Sequence, residues 1–129
     1  IAEREGRANF GTGRGGFMAF YASTQHPDLF SGITIYSTYW DQTSESERDI
    51  IVKPADTLPP YRVYLGWGRY DSRSPMEGND TRKATATFAR ALEEKGYWFA
   101  GGMVNDGAGL ASGRNGTHRV FETLFPARQ

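Results

Sequence analysis

The chain has 129 residues, enough for a single domain over 1–129 with its own core, and its fifteen basic and fifteen acidic residues cancel. That balance gives no electrostatic footprint for nucleic acid or an anionic membrane, and no apolar run approaches the roughly 20 residues that span a bilayer. Cysteine is absent, which excludes disulfides and thiolate metal sites and leaves the cellular compartment unread.

Ile1 to Arg7 is charged and has no apolar stretch of the signal-peptide kind. Arg7 to Phe10 reads as a short strand running into the glycines at 11 to 16. Phe17 to Thr24 has helical spacing through Phe17, Met18, Tyr21 and Ala22, and His26-Pro27-Asp28 ends it. Ile33 to Tyr36 is a β-branched and aromatic run suited to a buried parallel strand. Tyr39 to Asp56 is polar and reads as a surface excursion, and Arg62 to Trp67 as another strand. Thr81 to Lys95 is the clearest helix, with Ala84, Phe88, Ala91 and Leu92 on one face and Gly96 at its C-cap. Tyr97 to Val104 alternates as a strand. Thr117 to Phe125 closes the chain as a helix with Val120, Phe121 and Leu124 inward, stopped by Pro126.

The order β-α-β-β-α-β-α predicts an α/β fold, a mainly parallel sheet with flanking helices on both faces. Its first strand has no earlier element to pair with. An open edge of that kind predicts self-association or pairing with another chain segment.

Three glycine- or acid-bearing turns could carry chemistry. Gly11-Thr12-Gly13-Arg14-Gly15-Gly16 sits between a strand and a helix, where a nucleophile elbow reads G-x-S-x-G. Both flanking glycines are present, but the middle position is Gly13. The same residues fit a plain tight turn, or a dinucleotide fingerprint through Gly11, Gly13 and Gly16. The fingerprint also needs an acid roughly 20 residues on; the nearest is Asp41. In Tyr64 to Asp71 a strand ends on an aspartate, the place for an acid that orients a histidine, or for a simple turn cap. Asp106-Gly107-Ala108-Gly109-Leu110 follows the last strand.

His26 and His118 lie outside these turns and read as surface or capping residues. Glu45, Glu47 and Asp49 have no histidine nearby, so no metal site is expected, and no cofactor is implied. Tyr36, Tyr39, Trp40, Trp67 and Tyr70 gather near strand ends, where they could stack on an aryl or sugar ligand or fill the core beneath a loop.

Taken together, Gly11 to Ala19, Tyr21-Ala22, His26 to Phe30, Ile35 to Ser37, Trp67 to Asp71, Glu77 to Asp80, Leu92 to Gly96, Asp106-Gly107 and Leu124 to Pro126 resemble one family. It is the enterochelin-esterase and esterase-D-like branch of the α/β hydrolases, and the likeness covers nearly the whole chain in order. The resemblance implies a partial α/β-hydrolase fold, the second half of such a domain, and hence a fragment of a longer ester hydrolase or a remnant of one. It places the nucleophile position on Gly13, the acid on Asp71 and the base on Ala108. Leu110 and Gly113 stand where tryptophans usually follow the histidine. Two of three catalytic groups are therefore expected to be lost, and the chain is expected not to hydrolyse esters. Any retained ligand is expected near Arg14, Trp40, Trp67 and Tyr70. The open alternative is a nucleotide-binding unit using Gly11 to Gly16.

Overall fold

The computed structural model describes residues 3–40, 50–74, 79–107 and 110–127. Strand β1 (Ala8–Gly13) leads directly into helix α1 (Arg14–Gln25). Strands β2 (Gly32–Thr38) and β3 (Arg62–Tyr70) follow, then a short antiparallel pair, β4 (Arg73–Ser74) and β5 (Asn79–Asp80). Helix α2 (Thr81–Glu94), strand β6 (Phe99–Gly107) and helix α3 (Leu110–Leu124) complete the order. The four long strands form one parallel sheet in the order β1-β2-β3-β6.

One face of the sheet is fully packed. Ile33 and Ile35 of β2 and Val63 and Leu65 of β3 alternate onto it, each with no exposed surface. Phe20 of α1 and Phe88 and Leu92 of α2 close over them, equally buried. The Phe20 and Phe88 rings meet edge to face at 5.4 Å, and Trp40 meets Phe88 at 4.8 Å. Each such side chain contributes about 1.5–3 kcal/mol by leaving water. Asp80 caps α2 by accepting the Lys83 amide at 2.9 Å, and Gly96 leaves the helix at φ 85.

Helix α3 lies on the other face, over Thr34, Tyr36 and Tyr64, and covers it only in part. Leu124 is buried there, and the Arg62 guanidinium donates to the Leu124 carbonyl. Between α3 and β1 a groove of about 720 Å³ remains, lined by Phe10, Thr34, Tyr36, Val120, Phe121 and Phe125.

Four expectations change. Strand β1 does not stop at the glycines but runs through Gly13, because a Cβ at Gly11 would overlap the Gly15 carbonyl and only glycine lets strand and helix pass so closely. Helix α3 starts at Leu110 rather than Thr117, with Gly113 and Gly116 inside it; a Cβ at Gly116 would already touch the Tyr64 hydroxyl, so packing against the sheet outweighs poor helix propensity. The polar stretch from Tyr39 is not a surface excursion at its ends, since Trp40 and Val52 are each 1% exposed. Its middle, with Asp41, Glu45, Glu47 and Asp49, lies outside the described residues. Phe121, expected inward, is 58% exposed because no element covers its side of the groove among the described residues.

Candidate functional site

The C-terminal ends of the parallel strands gather the residues singled out by sequence. In open α/β sheets a cleft forms at that edge. Gly13 ends β1 and precedes α1 with φ 56 and ψ −129, a conformation that side-chain-bearing residues rarely adopt. The turn has the strained strand-to-helix shape that the sequence predicts for an elbow. Gly11 and Gly16 supply the closeness that this turn needs: a Cβ on Gly16 would stand 3.0 Å from Ile35 and 3.2 Å from the Gly11 carbonyl. The Thr38 hydroxyl donates to the Gly13 carbonyl at 3.0 Å, and the Thr85 hydroxyl donates to the Thr38 carbonyl at 3.1 Å, tying the turn to β2 and α2. The glycine spacing is thus accounted for by the elbow.

The space above Gly13 is open to a side chain. A Cβ there would meet nothing nearer than the Tyr39 ring edge, at 3.4 Å. Arg14, exposed at the first turn of α1, holds its guanidinium carbon 6.0 Å above the same ring. Gly13, Arg14 and Tyr39 therefore come together at the ends of β1 and β2.

Asp71 follows β3 and is only 7% exposed. Neither of its carboxylate oxygens has a hydrogen-bond partner among the described residues. Its amide donates to the Gly68 carbonyl at 3.3 Å, and a Cβ on Gly68 would come within 2.3 Å of the Asp106 backbone carbonyl and 2.6 Å of the Asp71 carboxylate, so glycine is required by the close approach of β6. The Asp106 carboxylate, at the end of β6, accepts the Gly107 amide at 2.9 Å. Burial first, then the charges of Asp71, Tyr64 and Asp106, push the Tyr36 hydroxyl above the usual phenol range, so Tyr36 stays protonated as a donor.

A smaller cleft of about 210 Å³ opens beside it, lined by Tyr36, Tyr64, Asp106, Asn115, His118 and Arg119. Sequence reasoning set His118 aside and did not join Tyr36 to Asp106. The available signal was the register of β2: Tyr36 pairs with Gly66, whose missing side chain leaves room for the ring, 2.8 Å from where a Cβ would stand.

The expected ligand wall is brought together only in part. Trp40 is a core residue at 1% exposure, ringed by Phe17 and Phe88, and its faces are taken by packing rather than offered to a ligand. Trp67 is half-buried and packs against the same core. Tyr70 is 70% exposed, and Arg14 lies at the recess. Ala108 lies outside the described residues, as do the side chains of Leu110 and Gly113.

Among known proteins, the family model described as Putative esterase matches residues 2–105. No curated protein matches the sequence. Enterochelin esterase from Shigella flexneri superposes with a TM-score of 0.67 at 16% identity, over 98% of this chain and 32% of that one. A ferulic acid esterase superposes with a TM-score of 0.69 at 13% identity, over 96% of this chain and 53% of that one. Ferric enterobactin esterase from Salmonella typhimurium gives 0.65 at 16% identity, over 95% and 31%. The chain thus spans about a third to a half of the length of these structures. At these identities the likeness shows a shared α/β-hydrolase-like fold. With a family match that runs from before β1 through α2 and most of β6, the chain belongs to this esterase family.

Proposed function

We propose that this chain is an esterase-like domain that does not hydrolyse esters and keeps a recess for a flat aryl or sugar ligand at the C-terminal edge of its sheet. The observation that carries the reading is Gly13. The backbone keeps the strained elbow at φ 56 while the residue on it has no nucleophilic atom. The buried Asp71 carboxylate, without a partner among the described residues, supports the same reading, since an acid that orients a histidine is otherwise costly to bury. By resemblance the base position is Ala108. Sites stripped of triad members keep only about 10³–10⁴-fold catalysis over water.

The ligand part of the reading rests on Gly13, Arg14 and Tyr39, with Trp40 withdrawn to the core. A carboxylate on the ligand gains from Arg14 and from the start of α1 together.

The first test is hydrolysis of p-nitrophenyl acetate by the purified 129-residue chain. The expected rate is that of buffer; turnover at ordinary enzyme rates, abolished by Asp71→Ala, overturns the reading. Amide chemical shifts under titration with ferulate and with short glucans test the recess. Movement at Gly13 and Arg14 is expected, and its absence with both compounds removes the ligand from the proposal.

A further inference from the structure

We infer that the cleft between the sheet and helix α3 recognises a small monocarboxylate, whose charged end pairs with Arg119 and whose apolar body lies against the rings of Tyr36 and Tyr64. The cleft holds about 210 Å³, and its walls come from β2, β3, β6 and α3; strand β1 has no part in it. It shares no residue with Gly13, Arg14 and Tyr39, so the inference stands apart from the function proposed above.

Two nearly buried phenols line this cleft. Tyr36 is 6% and Tyr64 4% exposed, yet neither hydroxyl has a hydrogen-bond partner among the described residues. Tyrosines buried to this degree usually find one. Their rings are seated by missing side chains. A Cβ on Gly66 would stand 2.8 Å from the Tyr36 ring and 3.2 Å from the Tyr64 ring. One on Gly101 would stand 3.3 Å from the Tyr64 ring, and one on Gly116 would stand 3.5 Å from the Tyr64 hydroxyl. Glycines on β3, β6 and α3 thus clear room for both rings, and close packing holds the two hydroxyls in place before a ligand arrives.

The groups around these hydroxyls are mostly donors. Asn115, His118 and Arg119 stand three and four residues apart on α3, so they share the helix face that overlooks the cleft. No described acid pairs with the Arg119 guanidinium. The Asp106 carboxylate also lines the cleft, but it is engaged with the Gly107 amide at 2.9 Å. Burial first, then the charges of Asp71, Tyr64 and Asp106, keep the Tyr36 hydroxyl protonated and hence able to donate. A surplus of donors calls for a ligand rich in acceptors. A carboxylate has two oxygens with about four lone-pair sites, and its plane matches the guanidinium fork. The phenol rings and Val104 offer apolar contact to the rest of the molecule, which suits a hydrocarbon body better than a phosphate. The negative charge of Asp106 on β6 turns the carboxylate toward α3.

Titration of the 129-residue chain with pentanoate, followed through backbone amide shifts, is the test. A saturable shift centred on Val104, Asn115 and Arg119 is expected, with a dissociation constant of about 1 mM or below, while Gly13 and Arg14 stay still. Pentanamide has the same shape without the charge and is expected to bind at least about 10-fold more weakly. Arg119→Gln is expected to weaken pentanoate by at least about 10-fold, and Tyr64→Phe, which keeps the ring, by about 5-fold. Arg119 is exposed, so its replacement leaves the circular dichroism spectrum unchanged and keeps the test open should Tyr64→Phe fold poorly. The absence of a saturable shift up to about 20 mM would overturn the inference. So would pentanamide or inorganic phosphate binding as tightly as pentanoate, an affinity that Arg119→Gln leaves unchanged, or shifts confined to Gly13 and Arg14.

Discussion

The two faces of the sheet are built from the same strands and end in opposite conditions. Below, Ile33, Ile35, Val63 and Leu65 meet Phe20, Phe88 and Leu92 with nothing exposed. Above, among the described residues, Thr34, Tyr36 and Tyr64 meet a single helix, and Phe10 and Phe121 remain exposed. The difference teaches where this molecule stores its stability and where it has surface to offer. Side chains of the closed face are interlocked from two helices. Among the described residues the open face has one helix for four strands, and its groove runs beside β1 and reaches Tyr36, which also lines the smaller cleft.

The sharpest way to test that contrast is to cut the closed face. Phe88→Ala removes a ring held by Phe20 and Trp40 and is expected to lower unfolding free energy by about 3–5 kcal/mol in urea. A loss below about 1 kcal/mol would mean that the face is not interlocked as described.

Alkali probes the same face chemically. Burial pushes the Tyr97 hydroxyl, which donates to the Lys53 carbonyl at 2.9 Å, up to about 12 from 10.0. Below pH 10 both folded and unfolded chains hold this proton and the contribution is whole. Between about pH 10 and 12 the unfolded chain releases it and the folded chain does not, so stability falls as pH rises, by about 3 kcal/mol across the window. Tyr97→Phe is expected to flatten that part of the slope in pH-dependent denaturation, leaving the part due to Tyr36 and Tyr61, whose hydroxyls burial also raises.

The smallest effect belongs to the open face. Phe121→Ser, measured by denaturation at high dilution, is expected to change stability by no more than about 0.5 kcal/mol, as exposed positions do. A large loss would show that something covers Phe121 and would turn the comparison around.

By itself the sequence determined the element order, the parallel sheet, helix α2 and the elbow turn. Each rests on local chemistry: period 3.6 at Ala84, Phe88, Ala91 and Leu92, the β-branched run at Ile33, and glycines whose spacing matches a strand-to-helix turn. Tertiary structure alone decided the rest. It took Trp40 from the ligand wall into the core, because burying an indole against Phe88 outweighs the polarity of its neighbours in sequence. It extended α3 across Gly113 and Gly116, because contact with Tyr64 offsets weak helix propensity. It also set Tyr36, Asp71 and Asp106 close enough to shift a phenol, although they lie on different strand ends far apart in the chain. Periodicity reports which way a side chain faces from its own element, and only the packing of elements decides whether anything stands opposite it.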